Sequence, residues 1–153
     1  MRHVAFALLL VAAPAMARVD SAPGPLARAD HVAIHVSDAA VSAAFYRQAF
    51  RMTDLPTKLP NGRWLDMGNG LTLHIIGGRG TAPPPDRFVH LALRTDDLAA
   101  STAWFDANGI AWCDFTGKPR SIQTRFDGVR QIFVQDPDGY WVELSDARGT
   151  PHD

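Results

Sequence analysis

The stretch Asp30-His-Val-Ala-Ile-His-Val-Ser-Asp38 returns further along the chain as His90-Leu-Ala-Leu-Arg-Thr-Asp-Asp97. His31 corresponds to His90, Ile34 to Leu93 and Asp38 to Asp97, each at the same offset (90 − 31 = 59). The echo runs on into the next segment, where Phe45-Tyr46 lines up with Trp104-Phe105. Each copy reads as a short β-branched, apolar strand followed by a helix with an aspartate at its cap. A duplicated strand–helix unit that opens on a histidine both times puts the chemistry where the two copies meet.

Working outward, the first copy continues with a helix of about a dozen residues after Ser37 or Asp38. Its apolar stripe is expected to be Val41, Ala44, Phe45 and Ala49. A strand over Met52–Leu59, a hairpin signal at Asn61-Gly62, a strand over Arg63–Met67 and a return over Leu71–Ile76 complete it. The second copy reads as a strand over Phe88–Arg94, then a helix capped by Asp96 or Asp97 that carries Leu98, Trp104 and Phe105. A strand over Ile110–Asp114 follows, and the closing hairpin is Gln131–Gln135 and Tyr140–Ser145 around Asp136-Pro-Asp-Gly139. Gly70-Leu-Thr-Leu-His74 and Gly139-Tyr-Trp-Val-Glu143 each place a polar residue four positions after a turn glycine. Their offset is 69 (143 − 74), and the ten extra residues fit a polar, basic insertion over Thr116–Gly128. The unit is therefore β-α-β-β-β, twice, in an α+β fold.

The chain has 153 residues, 46% hydrophobic and 20% charged, which suits one globular domain. Its net charge of −1 gives no sign of nucleic acid or an anionic membrane as a partner, and neither is expected. Met1-Arg2-His3, the apolar run Val4–Ala13 and Ala15-Met16-Ala17 follow the order of a secretory leader cleaved after Ala17. This predicts an exported protein, periplasmic or secreted, that no longer touches a membrane once the leader is removed. Residues 18–29 read as a flexible tether, 30–76 as module one, 77–87 as a Gly/Pro-rich linker, 88–147 as module two and 148–153 as a loose tail. Cys113 is the only cysteine, so a packed core rather than disulfides must hold the fold.

The equivalent positions of the two modules hold His31 with His90, and His74 with Glu143. If the modules pair about a twofold axis, these side chains converge. Imidazoles and a carboxylate are donors that suit a divalent first-row metal such as Zn, Ni, Mn, Co or Fe. A charged Glu143 inside the apolar run Tyr140–Leu144 is costly unless such a cation is present. His35, and Arg94 in the second module, are expected deeper along the same strands as substrate-binding groups. Lys118, Arg120 and Arg125 in the insertion could close over an anionic substrate.

His31–Asp38, Phe45-Tyr46, His90–Leu93 and Asp136-Pro-Asp-Gly-Tyr-Trp-Val-Glu143 resemble the vicinal oxygen chelate superfamily. That group includes glyoxalase I, fosfomycin- and bleomycin-resistance proteins, methylmalonyl-CoA epimerase and extradiol dioxygenases. The resemblance covers residues 30–147 and implies paired modules forming an open, curved eight-stranded barrel around a divalent metal. It implies His31, His90 and Glu143 as ligands, with Glu143 also the proton-moving catalytic residue. His74 stands where glyoxalase I of the bacterial type carries Glu, which makes this ligand set less anionic. The implied activity is a metal-dependent lyase or isomerase reaction on a small substrate with vicinal oxygens, in a homodimer. Ring cleavage at Fe(II), and small-molecule binding without turnover, are the alternatives; a thiol cosubstrate is a variant of the first.

Overall fold

A computed structural model describes residues 29–81 and 86–148. The expected leader and tether over residues 1–28, part of the linker and the tail from residue 149 lie outside the described residues. Module one comprises β1 (His31–His35), α1 (Ala39–Phe50), β2 (Thr53–Leu55), β3 (Gly62–Gly68) and β4 (Leu71–Ile76). Module two comprises β5 (His90–Arg94), α2 (Leu98–Ala107), β6 (Trp112–Cys113), β7 (Gln123–Thr124), β8 (Arg130–Gln135) and β9 (Trp141–Ser145). The strand orders β1-β4-β3-β2 and β5-β9-β8-β6 are the same, with β1/β4 and β5/β9 parallel and the remaining pairs antiparallel. The short β7 hangs on β8 as an addition without a counterpart in module one. Hydrogen bonding leaves two curved sheets rather than a closed barrel.

The register shows the duplication residue by residue. Ala33 sits opposite His74 as Ala92 sits opposite Glu143, and Trp64 faces His74 as Phe133 faces Glu143. Side chains alternate across a strand. In module one, Leu65, Leu73, Ile75 and Ile34 therefore point to the helix side and are buried. In module two, Ile132, Val134, Val142 and Leu144 do the same. His31, Ala33, His35, Trp64, Thr72 and His74 are left on the opposite face of the first sheet, and His90, Arg94, Phe133, Trp141 and Glu143 on that of the second.

Both helices begin as expected. Asp38 Oδ1 accepts from the backbone N–H of Ala40 (2.7 Å) and Val41 (3.2 Å), and Asp97 Oδ1 from that of Ala100 (2.8 Å). The buried stripe of α1 differs from the expected one. It is Ala39, Ser42, Ala43, Tyr46 and Ala49, while Val41 is 52% exposed. Small residues let the helix approach the sheet closely, and Phe45 and Phe50 lie along the boundary with module two. In α2, Leu98, Thr102 and Phe105 are buried, and Trp104 turns outward to donate from Nε1 to the Gln48 carbonyl (2.9 Å). The second strand is also shorter than Met52–Leu59, ending at Leu55. Pro56 and Pro60 lack the N–H a strand needs, so Asn61-Gly62 enters β3 after a longer connection instead of making a two-residue hairpin.

The modules are joined through the Asp136–Gly139 turn and a shared core. Asp138 accepts from the Ser37 N–H (2.7 Å), the Ser42 hydroxyl (3.1 Å) and Arg79 Nη2 (3.0 Å), all in module one or just after it. Asp136 accepts from the Tyr46 hydroxyl (3.1 Å). The Tyr140 hydroxyl accepts from the His35 N–H (3.2 Å) and donates to the His35 carbonyl (2.9 Å). Val142 packs in the module-one core and Ala49 in the module-two core, with Phe45, Phe50 and Leu93 touching both.

Burial alone would raise the Asp138 carboxyl, but the hydrogen bonds from Ser37, Arg79 and Ser42 outweigh it and hold it below the usual carboxylate range. Its contribution to stability is thus present above that range and is lost as pH falls through the lower folded value. Asp138→Ala, which strands the largely buried Arg79, is expected to cost about 3 kcal/mol in urea unfolding at pH 7. Ser42→Ala is expected to cost about 1 kcal/mol, and the difference between Asp138→Ala and the parent should shrink in acid.

Candidate metal centre

The two halves of the expected site form as two pairs. On the first sheet the His31 and His74 rings stack with centroids 4.1 Å apart and planes 10° from parallel. His74 stacks in turn on Trp64, at 4.3 Å and 7°. On the second sheet His90 Nε2 lies 3.2 Å from Glu143 Oε2. No group of three or more His, Cys, Asp and Glu side chains suited to one metal ion occurs among the described residues. The convergence of all four side chains expected from the repeat is therefore not formed within one chain. Each sheet carries its own two on the face opposite its helix, and the two helices meet each other through Phe50 with Phe105 and Trp104 with Gln48.

Hydrogen bonds fix which ring atoms are offered. His90 Nδ1 lies 2.6 Å from the Arg87 carbonyl, which can only accept, so Nδ1 carries the proton and donates. His31 Nδ1 donates in the same way to Asp30 Oδ2 (2.7 Å). A carbonyl or carboxylate behind Nδ1 is the arrangement that aims the Nε2 lone pair of a metal-binding histidine. In a neutral His90 that lone pair meets a carboxylate oxygen, two acceptors 3.2 Å apart. Such a contact is favourable only with positive charge to share, from a proton on the ring or a cation between the atoms. The donor set fits a divalent ion on this ground.

His74 is held differently. Its Nε2 lies 3.0 Å from the Thr72 hydroxyl, and both ring faces are covered by His31 and Trp64. Burial, and then the neighbouring His31, hold its imidazole below the ordinary value, so the neutral, ligand-competent form is favoured.

The faces also differ in cover. Phe133, Trp141, Glu143, Gln131 and Ser145 are buried, whereas His31, Ala33 and His35 are exposed. The insertion makes the difference, together with Phe115 just before it and Arg87 at the end of the linker. Phe115 packs edge-on against Phe133 (5.6 Å), Gln123 accepts from Gln131 (3.3 Å) and the Arg87 guanidinium lies over the Trp141 ring (4.1 Å). From the same insertion Arg125 Nη1 reaches Glu143 Oε1 at 3.4 Å. The other basic residues expected there do not approach the pair: Lys118 is exposed, and Arg120 pairs with Asp106 (3.1 Å) at the end of α2. His35 and Arg94 share the outward faces with their respective histidines, and both are exposed. Sequence reasoning passed over Thr72 and gave Trp64 no tie to His74. The offset of 69 that matched His74 with Glu143 also matches Trp64 with Phe133, and would have placed Trp64 beside His74.

The family model described as "Glyoxalase/Bleomycin resistance protein/Dioxygenase superfamily" matches residues 28–144. The chain belongs to that superfamily. Among its relatives is the uncharacterized protein YwbC of Bacillus subtilis (strain 168), 27% identical over 126 residues, covering 76% of this chain and 95% of YwbC. A putative glyoxalase family protein from Bacillus anthracis superposes with a TM-score of 0.67 at 18% identity, over 83% of this chain and 100% of that one. A mutant of the fosfomycin resistance protein FosX from Listeria monocytogenes, solved with Mn(II) and 1S,2S-dihydroxypropylphosphonic acid, superposes with a TM-score of 0.65 at 18% identity. That superposition covers 81% of this chain and 93% of FosX. At these identities the superpositions show the superfamily's fold.

The ring stack gives His74 a readable signature. By NMR its imidazole should titrate below the ordinary histidine value, and Trp64→Ala, which uncovers one ring face, should move the titration upward. An unchanged midpoint would show that Trp64 does not shield the ring.

Proposed function

We propose that the protein is a divalent-metal-dependent enzyme of the glyoxalase type, acting on a small substrate with two neighbouring oxygens. The metal site in this reading is shared between two copies of the chain, His31 and His74 from one and His90 and Glu143 from the other. The observation that carries it is the approach of His90 Nε2 to Glu143 Oε2 at 3.2 Å, two acceptors when the ring is neutral, each backed by groups that hold it in place. Completion by a second copy is supported by the outward direction of both half-sites. Phe88 and Val89, directly before His90, are 80% and 78% exposed, apolar surface that a partner would cover.

Bound at those four side chains, a divalent ion would supply Lewis acidity toward the substrate's paired oxygens. The chain's own residues do the rest. Asp30 and the Arg87 carbonyl keep the two Nε2 atoms aimed at the site. Phe133 and Trp141 with the insertion keep water from the Glu143 side. Glu143 takes a proton from the carbon beside the paired oxygens and returns it to the neighbouring position, the step its burial beside His90 suits.

Subunit mixing tests the shared site. A His31→Ala/His74→Ala variant and a His90→Ala/Glu143→Gln variant should each bind no metal tightly alone. Mixed after mild denaturation and refolding, they should regain about a quarter of the wild-type sites, since half of the dimers are mixed and each carries one intact site. No regain, with both variants folded and dimeric, would discard the shared site.

A second reading is favoured by the Thr72 contact alone. With His74 Nε2 engaged there, His31, His90 and Glu143 remain as a set of two histidines and one carboxylate, the pattern of Fe(II) oxygenases. Catechol-dependent oxygen uptake by anaerobically Fe(II)-loaded protein is the expected result of this reading, and a flat oxygen trace removes it.

A further inference from the structure

Arg125 lies in the one segment that the duplication does not explain. It follows β7 in a tight turn closed by its own N–H to the Val129 carbonyl (2.8 Å) and by the Gly128 N–H to the Arg125 carbonyl (3.0 Å). Asp127 takes one edge of the guanidinium with both oxygens, Nε to Oδ1 at 3.2 Å and Nη2 to Oδ2 at 2.5 Å. That fork fixes the plane of the group and leaves Nη1 turned toward the candidate site, where it meets Glu143 Oε1 at 3.4 Å. At the outer limit of a hydrogen bond, this contact is the weaker of the two.

The charges at this point are few. Glu143 carries the carboxylate, 6% exposed, with His90 on one oxygen and Arg125 on the other, and Asp127 keeps its pair with the far edge of the guanidinium. A divalent cation on Glu143 draws on the same carboxylate charge and weakens its long contact with Nη1, while Asp127 still holds the group in place. Nη1, the donor that Asp127 does not take, then faces a site with net positive charge. That arrangement is unfavourable until an anion enters beside it.

Resting on the metal reading above, we propose that Arg125 is the substrate's anion-binding residue, its Nη1 held by Glu143 until a metal is bound and then released to an oxyanion of the substrate. The substrate class is thereby narrowed to small acids, in which a carboxylate or similar oxyanion lies next to the paired oxygens. Neutral carbonyl or diol compounds lack the charge that Nη1 and the surplus positive charge of the site would pair with.

Calorimetric titration of the full-length mature protein tests this, with Mn(II) alone and then oxalate on the Mn(II)-loaded protein. Arg125→Gln is expected to bind Mn(II) about tenfold more tightly than wild type, because a competitor for Glu143 is gone. It should bind oxalate about 30-fold more weakly, the size of a lost charged hydrogen bond. Arg125→Lys, which keeps the charge without the fork, should recover part of the oxalate affinity, and Arg120→Gln should match wild type in both titrations. If wild type binds Mn(II) and Arg125→Gln matches it within threefold for both probes, the arginine's role is overturned while the metal reading stands. If wild type binds no divalent metal, the metal reading falls, and this inference with it.

Discussion

Asp138 is a carboxylate 6% exposed whose three partners come from the start of α1 and from Arg79, so the last hairpin of module two is anchored in module one. A buried carboxylate with three donors is stable where it stands and costly anywhere else. That asymmetry fixes the turn Asp136–Gly139, and the turn fixes where β9 starts. Because β9 carries Glu143 and pairs with β5, which carries His90, the placement of these two side chains follows from a contact between the turn before β9 and module one. Asp136 belongs to the same arrangement. It is raised by burial, and that burial is offset in part by hydrogen bonds from Tyr140, Tyr46 and Asp138.

Duplication has left two faces with equal backbones and unequal surroundings. On the first sheet, three flat rings lie in a column, Trp64, His74 and His31, and the face is largely open. On the second, the insertion lies against the strands and the equivalent positions hold Phe133 and Glu143, both buried, with His90 at the exposed end. One half thus offers two stacked imidazoles at an open surface, and the other a buried carboxylate with its own counter-ion. In the proposed shared site the two kinds of half are complementary in charge and in exposure.

The β-α-β-β-β repeat was legible because its signals are local: a histidine opening each first strand, an aspartate capping each helix, a glycine before each last strand. The pairing of His74 with Glu143 required only counting from turn glycines, and the strand register bears out that equivalence. What was not legible depends on tertiary context. Helix α1 hides Ser42 rather than Val41, because Asp138 offers the serine a partner that no window of sequence can show. Pro56 and Pro60 shorten β2 although the apolar pattern runs on. Among the basic residues of the insertion, only geometry separates Arg125, turned inward by Asp127, from Arg120, turned outward by Asp106. Direction of approach is a property of the folded loop, so charge counting treats them alike.

Helix α1 is shared property. Ala49 is part of the second core, Val142 part of the first, and Phe45 and Phe50 belong to both. Either module cut free would carry a torn apolar surface where its sibling had been. Phe45 and Phe50 would then meet water on the side where they now meet the other core, so the repeat in the chain is not matched by two separable cores.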